Sequence, residues 1–196
     1  MRLKLYMMLC LLAVREPHDV FGAPYLWAEA LDLPDFQGQG ARRVREAIRW
    51  LEKANLIKVE RRQGKYPTIF LLSQRGTGKP YKRPAVSGEP YASMPVAFWR
   101  NAWILVMSPG AIAVLLILLQ LQYGRTPEDP PWIRSPWRYD LSADTWTRGT
   151  TELVRLGLLK KERVVRGDEL EWRRRRNVYW IDLERLEDVP TEPFEP

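Results

Sequence analysis

Two rhythms of apolar residues alternate along this chain, one of helical period and one of strand period, and the whole alternation occurs twice. Leu3 to Val14 is a first apolar run of helical length, and Pro24 to Leu31 a second, with Pro24 suited to the first position of a helix. Val44, Ala47, Ile48, Leu51 and Ala54 then recur at helical spacing, which predicts a third helix with one apolar side. Two short β-prone runs follow, IKVE and TIFLLS, separated by Arg61-Arg62-Gln63-Gly64-Lys65-Tyr66-Pro67, so a hairpin is expected.

The second round begins at Trp103 to Leu121. Ser108-Pro109-Gly110 divides this stretch, and it predicts a strand followed by a helix over Ala111 to Gln122 that Ser108 caps. A short helix is expected at Pro136 to Tyr139, and a further one in which Trp146, Gly149, Leu153 and Leu156 point inward, with Ser142 as its cap and Asp144 in its first turn. LLKKERVV and a strand ending NVYWIDL flank Arg166-Gly167-Asp168-Glu169, a second hairpin. Laying Asn55-Leu56-Ile57-Lys58 over Gly157-Leu158-Leu159-Lys160 aligns Leu51 with Leu153 and Ala47 with Gly149 at a constant offset of 102 residues. Asn55 and Gly157 each suit a left-handed residue that ends a helix.

Neither apolar run reads as a membrane signal. MRLKLYMMLCLLAV has the length of a signal peptide but no small-residue cleavage site after it, and the pieces of Trp103 to Leu121 are each too short to span a bilayer. At 196 residues and 45% hydrophobic content the chain can hold two packed cores. The only cysteine, Cys10, excludes an internal disulfide and suggests a reducing, cytoplasmic setting. The expected fold class is mainly α with small antiparallel β-hairpins (α+β), as a first domain over 1–73, a basic Pro/Gly-rich linker over 74–95, a second domain over 96–183 and an acidic tail over 184–196.

Charge changes this picture by its distribution. The net formal charge is +7, and 23 of the 31 basic residues are arginine, whose planar fork suits phosphate oxygens. Residues 41 to 83 carry 13 basic and 3 acidic side chains, whereas residues 177 to 196 carry 1 and 6. The basic side of the third helix holds Arg42, Arg43, Arg45, Arg49 and Lys53, and the hairpin tip holds Arg61, Arg62 and Lys65. Guanidinium groups there can reach phosphates or guanine edges. The competing reading is a solvated face paired with Glu46 and Glu52, though surface pairs contribute only about 0 to 1 kcal/mol. In the second round the outward residues are Thr147, Arg148, Thr151 and Arg155. Arg173, Arg174, Arg175 and Arg176 lie in a predicted strand, where alternate residues face opposite sides, so two serve the hairpin surface, with Glu162, Glu169 and Glu171 as rival partners.

YDLSADTWTRGTTELVRLGLLKKERVV resembles the helix-turn-helix and first wing strand of bacterial winged-helix regulators, and GARRVREAIRWLEKANLIKVERRQGKYPTIFLLS is similar in plan. The resemblance implies two winged helix-turn-helix domains in tandem, with the third helix of each in the major groove and the wing on the backbone or minor groove. It implies sequence-specific binding of double-stranded DNA by a nucleoid-associated transcriptional regulator or replication initiator. The alternative is a tandem winged-helix interaction subunit of a chromosome-organising or defence complex. The second domain is the expected place for a homodimer or protein contact.

Trp27, Trp103, Trp146 and Trp180 are expected in the core, with Trp50 and Trp172 kept as surface contacts for bases. His18, the only histidine, reads as structural. No nucleophile and base pair, phosphate loop or metal-ligand spacing stands out, so neither enzymatic activity nor a cofactor nor a metal site is expected.

Overall fold

The computed structural model describes residues 1–83, 91–133, 136–166 and 174–190, which form mixed α and β structure with small antiparallel sheets. Two units, Met1–Glu89 and Pro90–Pro196, separate by their internal packing.

In the first unit, α1 (Arg2–Leu12) buries Leu5, Met7 and Leu9. A short strand that periodicity did not reveal, β1 (Asp19–Phe21), leads to α2 (Pro24–Ala30), which has proline at its first turn. Asp35 then takes a left-handed conformation, and its carboxylate accepts hydrogen bonds from the Gly38 N–H at 3.2 Å and the Gln39 N–H at 2.7 Å. These bonds close a single wide π-type turn, Phe36–Gly40, that runs straight into α3 (Ala41–Lys53). A Cβ at Gly38 would lie 2.3 Å from an Asp35 carboxylate oxygen, so the glycine lets the carboxylate reach the amides. The expected loose glycine-rich turn is therefore an ordered, capped one.

Helix α3 turns Ala41, Val44, Ala47, Ile48 and Leu51 inward. Beyond it, β2 (Ile57–Glu60) and β3 (Thr68–Leu71) pair from Ile57 with Leu71 to Glu60 with Thr68, and β1 takes the other side of β3, giving the antiparallel order β1-β3-β2. The core joins Leu5 and Leu9 to Val20, Trp27, Val44, Leu51, Ile57, Ile69 and Leu71.

The expected linker over 74–95 is in part a piece of this unit. Leu72 bridges Pro80, the Ser73 N–H donates to the Lys79 carbonyl at 2.8 Å, and Tyr81 packs on the core with its ring 5.0 Å edge-on from His18. The Pro, Gly and Ser chemistry here makes a turn that returns an aromatic ring to the core, and composition does not distinguish such a turn from a linker. His18 is buried, with Nδ1 2.9 Å from the Ala13 carbonyl oxygen. Residues 84–90 lie outside the described residues.

The second unit opens with α4 (Ala97–Arg100) and α5 (Trp103–Val106). The strand expected at Trp103 is thus a helical turn: Trp103, Ile104 and Met107 are buried, Leu105 and Val106 partly so, and a run that is apolar throughout carries no period that separates strand from helix. Ser108 caps α6 (Pro109–Gln122) by accepting the Ala111 N–H at 3.1 Å. A 3₁₀ turn at Pro136–Tyr139 precedes α7 (Ala143–Arg155), which Ser142 caps. Strands β4 (Leu159–Arg166) and β5 (Arg174–Ile181) pair from Leu159 with Ile181 to Arg166 with Arg174.

Residues 184–190 of the expected acidic tail belong to the fold. A 3₁₀ turn, Glu184–Glu187, buries Leu186 fully. The Asn101 amide donates at 2.8 Å to both the Leu186 and Glu187 carbonyls, and Arg100 pairs with Glu187. One apolar residue inside the acidic run, with carbonyls that accept bonds, outweighs its solvated charge. Residues 191–196 lie outside the described residues.

The repeat extends to individual hydrogen bonds. Asn55 donates to the Glu52 carbonyl and Leu56 to Leu51, and at the same offset Gly157 donates to Val154 and Leu158 to Leu153. Both Asn55 and Gly157 have positive φ, 55° and 73°. The Leu72 N–H bonds the Leu56 carbonyl as the Asp182 N–H bonds that of Leu158. Where β1 flanks β3 in the first unit, the described residues of the second have a bridge from Trp132 to Val178, and the Gln122 side chain bonds the Ile181 N–H and C=O at 2.7 and 2.9 Å.

Gly149, in the place of Ala47, marks a close approach of α6 and α7. A Cβ there would stand 2.8 Å from Val114 Cγ2 and 3.0 Å from the Gly110 carbonyl oxygen. Helix propensity favours alanine by about 1 kcal/mol, but the backbone oxygen cannot rotate away, and overpacking costs about 1–3 kcal/mol. Gly149→Ala should therefore lower the urea midpoint of the second unit, and a raised midpoint would contradict the close approach.

Candidate nucleic-acid interface

Arg42, Arg45, Arg49 and Lys53 follow one another on α3 at three- and four-residue steps, so they share the face opposite the buried stripe, and all four are exposed. Arg43 is exposed on the flank toward α1, where the Met1 amine is pushed down by burial and then by the nearby Lys4, Arg43 and Arg2. Arg2 also lies over the ring of the half-exposed Trp50, 4.7 Å from its centroid.

The turn from α3 into the hairpin brings the two basic elements together. An open groove of about 290 Å³ is lined by Arg45, Ile48 and Arg49 of α3, Pro24 at the start of α2, and Val59, Arg61, Lys65 and Pro67 of the hairpin. Among the described residues, Arg45, Arg49 and Lys65 have no ion-pair partner. Arg61 spans the groove edge to Glu52 at 3.1 Å. Arg42 is paired with Glu46 at 3.2 Å, and Arg62 shares Glu60 with Lys58 at 3.5 and 3.0 Å. Lys58, and then Arg62, hold the Glu60 carboxyl below the ordinary range. Of the two acids expected to pair along the helix, Glu46 does so and Glu52 reaches the hairpin instead.

The second unit is built differently at matching positions. The offset of 102 carries Arg42, Arg45, Arg49 and Lys53 onto Asp144, Thr147, Thr151 and Arg155. All four are exposed, but Thr147 donates its hydroxyl to the Ala143 carbonyl at 2.8 Å. Both carboxylate oxygens of Asp144 grip the Arg148 guanidinium, at 3.0 and 2.6 Å, which raises that side chain's already high pKa. On β5, Arg175 is exposed opposite Val165, whereas Arg176 lies over the Trp132 ring, 4.4 Å from its centroid. Alternate residues do separate there, and Arg176 is spent inside the unit. Glu162 stands opposite Val178. Arg174 lies in β5 opposite Arg166, and Arg173, Glu169, Glu171 and Trp172 fall outside the described residues.

Trp27, Trp103 and Trp146 are buried as expected, and Trp180 is half-buried on β5 opposite Lys160. Several exposed aromatics were not singled out from the sequence, among them Phe21 on β1 at 76%, Trp137 in the 3₁₀ turn at 77%, Tyr123 after α6 at 86% and Tyr66 in the hairpin at 55%. A three-residue strand is too short to display alternation, which is why Phe21 carried no signal.

Among the described residues, no group of three or more His, Cys, Asp or Glu side chains is placed to hold a metal ion, and no helix is long and apolar enough to cross a membrane. No protein-family model, curated protein or solved structure matches this chain.

Proposed function

We propose that the chain binds double-stranded DNA as a tandem winged helix-turn-helix protein, with the first unit as its main docking module and a role in transcription regulation or replication initiation. One observation carries the reading: Arg45 and Arg49 of α3 meet Arg61 and Lys65 of the hairpin at a single groove. Four cations from two elements on one open surface suit a polyanion of regular spacing, because each phosphate contact releases condensed counterions. The element order supports the fold reading. Helix, strand, helix, helix and hairpin follow one another in the first unit; the second, after two short helices, runs α6, a bridge at Trp132, a 3₁₀ turn, α7 and a hairpin.

A second role for the second unit has its own support. The outward side of α7 is nearly neutral, since Arg148 is bound to Asp144 and threonines stand in place of Arg45 and Arg49. That surface suits a protein partner or a second copy better than phosphate. The two readings are compatible, one in each unit.

The test is anisotropy of a labelled mixed-sequence duplex titrated with the intact chain between about 50 and 200 mM salt. Four phosphate contacts give a slope of log K against log salt near −3.6, at about −0.9 for each contact. A slope near zero, or no binding at the lowest salt, overturns the proposal.

A further inference from the structure

The hairpin has a second cleft that the duplex-binding reading leaves unused. It measures about 680 Å³ and is lined by Phe21, Gly64, Lys65, Tyr66 and Thr68. Lys65 lines this cleft and the basic groove alike, so one cation borders both.

Phe21 is the most exposed large apolar side chain of the described first unit. Its neighbour Val20 is buried, and alternation on β1 turns Phe21 outward opposite Thr68. Core packing therefore gives no reason for a phenyl ring there. Tyr66 is also exposed, and its hydroxyl lies 3.3 Å from that of Tyr25, a contact that steadies the ring beside the cleft. Gly64 has nothing within 4 Å of where a Cβ would stand, so the tip of the hairpin leaves the cleft open. Two aromatic faces and a lysine on one short surface are the elements that hold an unstacked base together with its phosphate.

We infer that the cleft between Phe21 and Tyr66 receives an unpaired base of a nucleic acid whose duplex part lies along α3, so that the preferred ligand is a junction between duplex and single strand. The inference rests on the duplex-binding reading. The duplex occupies Arg45, Arg49 and Arg61, Lys65 takes the phosphate at the junction, and the first unstacked base leaves the helix toward Phe21. A fully paired end offers no single base free to enter beside Phe21 except by opening.

The experiment compares a blunt duplex with the same duplex carrying a short single-stranded extension, both titrated with the intact chain by anisotropy at one salt concentration. The extended duplex is expected to bind on the order of 5- to 100-fold more tightly, the range of one stacked base. Phe21→Ala and Tyr66→Ala should each remove most of that preference while leaving blunt-duplex binding within about twofold and the thermal melt unchanged, since both side chains are exposed. Phe21→Trp should retain the preference. Equal binding of the two duplexes, or a preference that survives both alanine variants, overturns the inference and leaves the duplex-binding reading standing. If neither duplex binds, both fall.

Discussion

Replacing Arg45, Arg49 and Lys65 together by alanine should weaken duplex binding by on the order of 10²- to 10³-fold at 0.1 M salt. Each phosphate contact contributes about −0.9 to the slope of log K against log salt, so losing three flattens the slope by about 2.7 and removes a factor of roughly 500 at that concentration. These three are the cations of the groove without an ion-pair partner among the described residues, so no described carboxylate is left behind when they go. All are exposed, and the fold should survive the change. The matched control replaces Thr147, Arg148 and Thr151, which should alter duplex affinity far less because it removes one cation rather than three, and that one stands beside Asp144. Equal losses from the two triples would show that the first unit is not the principal docking module. The measurement is the same salt-resolved anisotropy, with circular dichroism to establish that each variant is folded.

The largest effect on stability is expected at Trp103→Ala. The ring is fully buried, and its Nε1–H donates to the Leu186 carbonyl at 3.1 Å and the Asp188 carbonyl at 3.0 Å. The Arg185 guanidinium lies 5.2 Å from the ring centroid. Truncation opens a cavity in the second unit and strips the donor that ties the 3₁₀ turn at 184–187 to it. Large-to-small changes of an aromatic ring in a core cost about 3–5 kcal/mol, which for a unit of this size lowers the melting temperature by about 12 °C or more. Trp103→Phe keeps most of the packing and loses the donor, so it should fall between. Chemical denaturation of the three proteins checks the order. A loss below about 1 kcal/mol for the alanine variant would mean that residues 184–190 do not clasp this ring.

Much of the secondary structure was legible because its causes are local. The apolar stripe of α3, the serine caps of α6 and α7, and the left-handed Asn55 and Gly157 each depend on residues within a turn or two of one another. Three features were read differently. Trp103–Val106 is helical where a strand was expected, because a run apolar throughout lacks the period that separates the two structures. Residues 74–83 and 184–190 read as linker and tail from composition, yet Tyr81 and Leu186 each draw their segment onto a core. One apolar residue decides such a segment, and its partners lie far away in the chain.

For the candidate site the division is sharper. The sequence alone determined that a basic helix is followed by a basic hairpin, and that the second copy has Asp144, Thr147 and Thr151 where the offset aligns Arg42, Arg45 and Arg49, because side-chain identity and spacing fix both. Only the tertiary structure decided which cations act together. The turn after α3 brings Arg61 and Lys65 beside Arg45 and Arg49, lets Glu52 reach across to Arg61, and commits Arg176 to the Trp132 ring. It also turned Phe21 and Tyr66 out beside Lys65, through the placement of β1 on β3. Pairing and exposure between residues distant in sequence depend on strand register and helix packing, and those follow from the whole core rather than from any window of the chain.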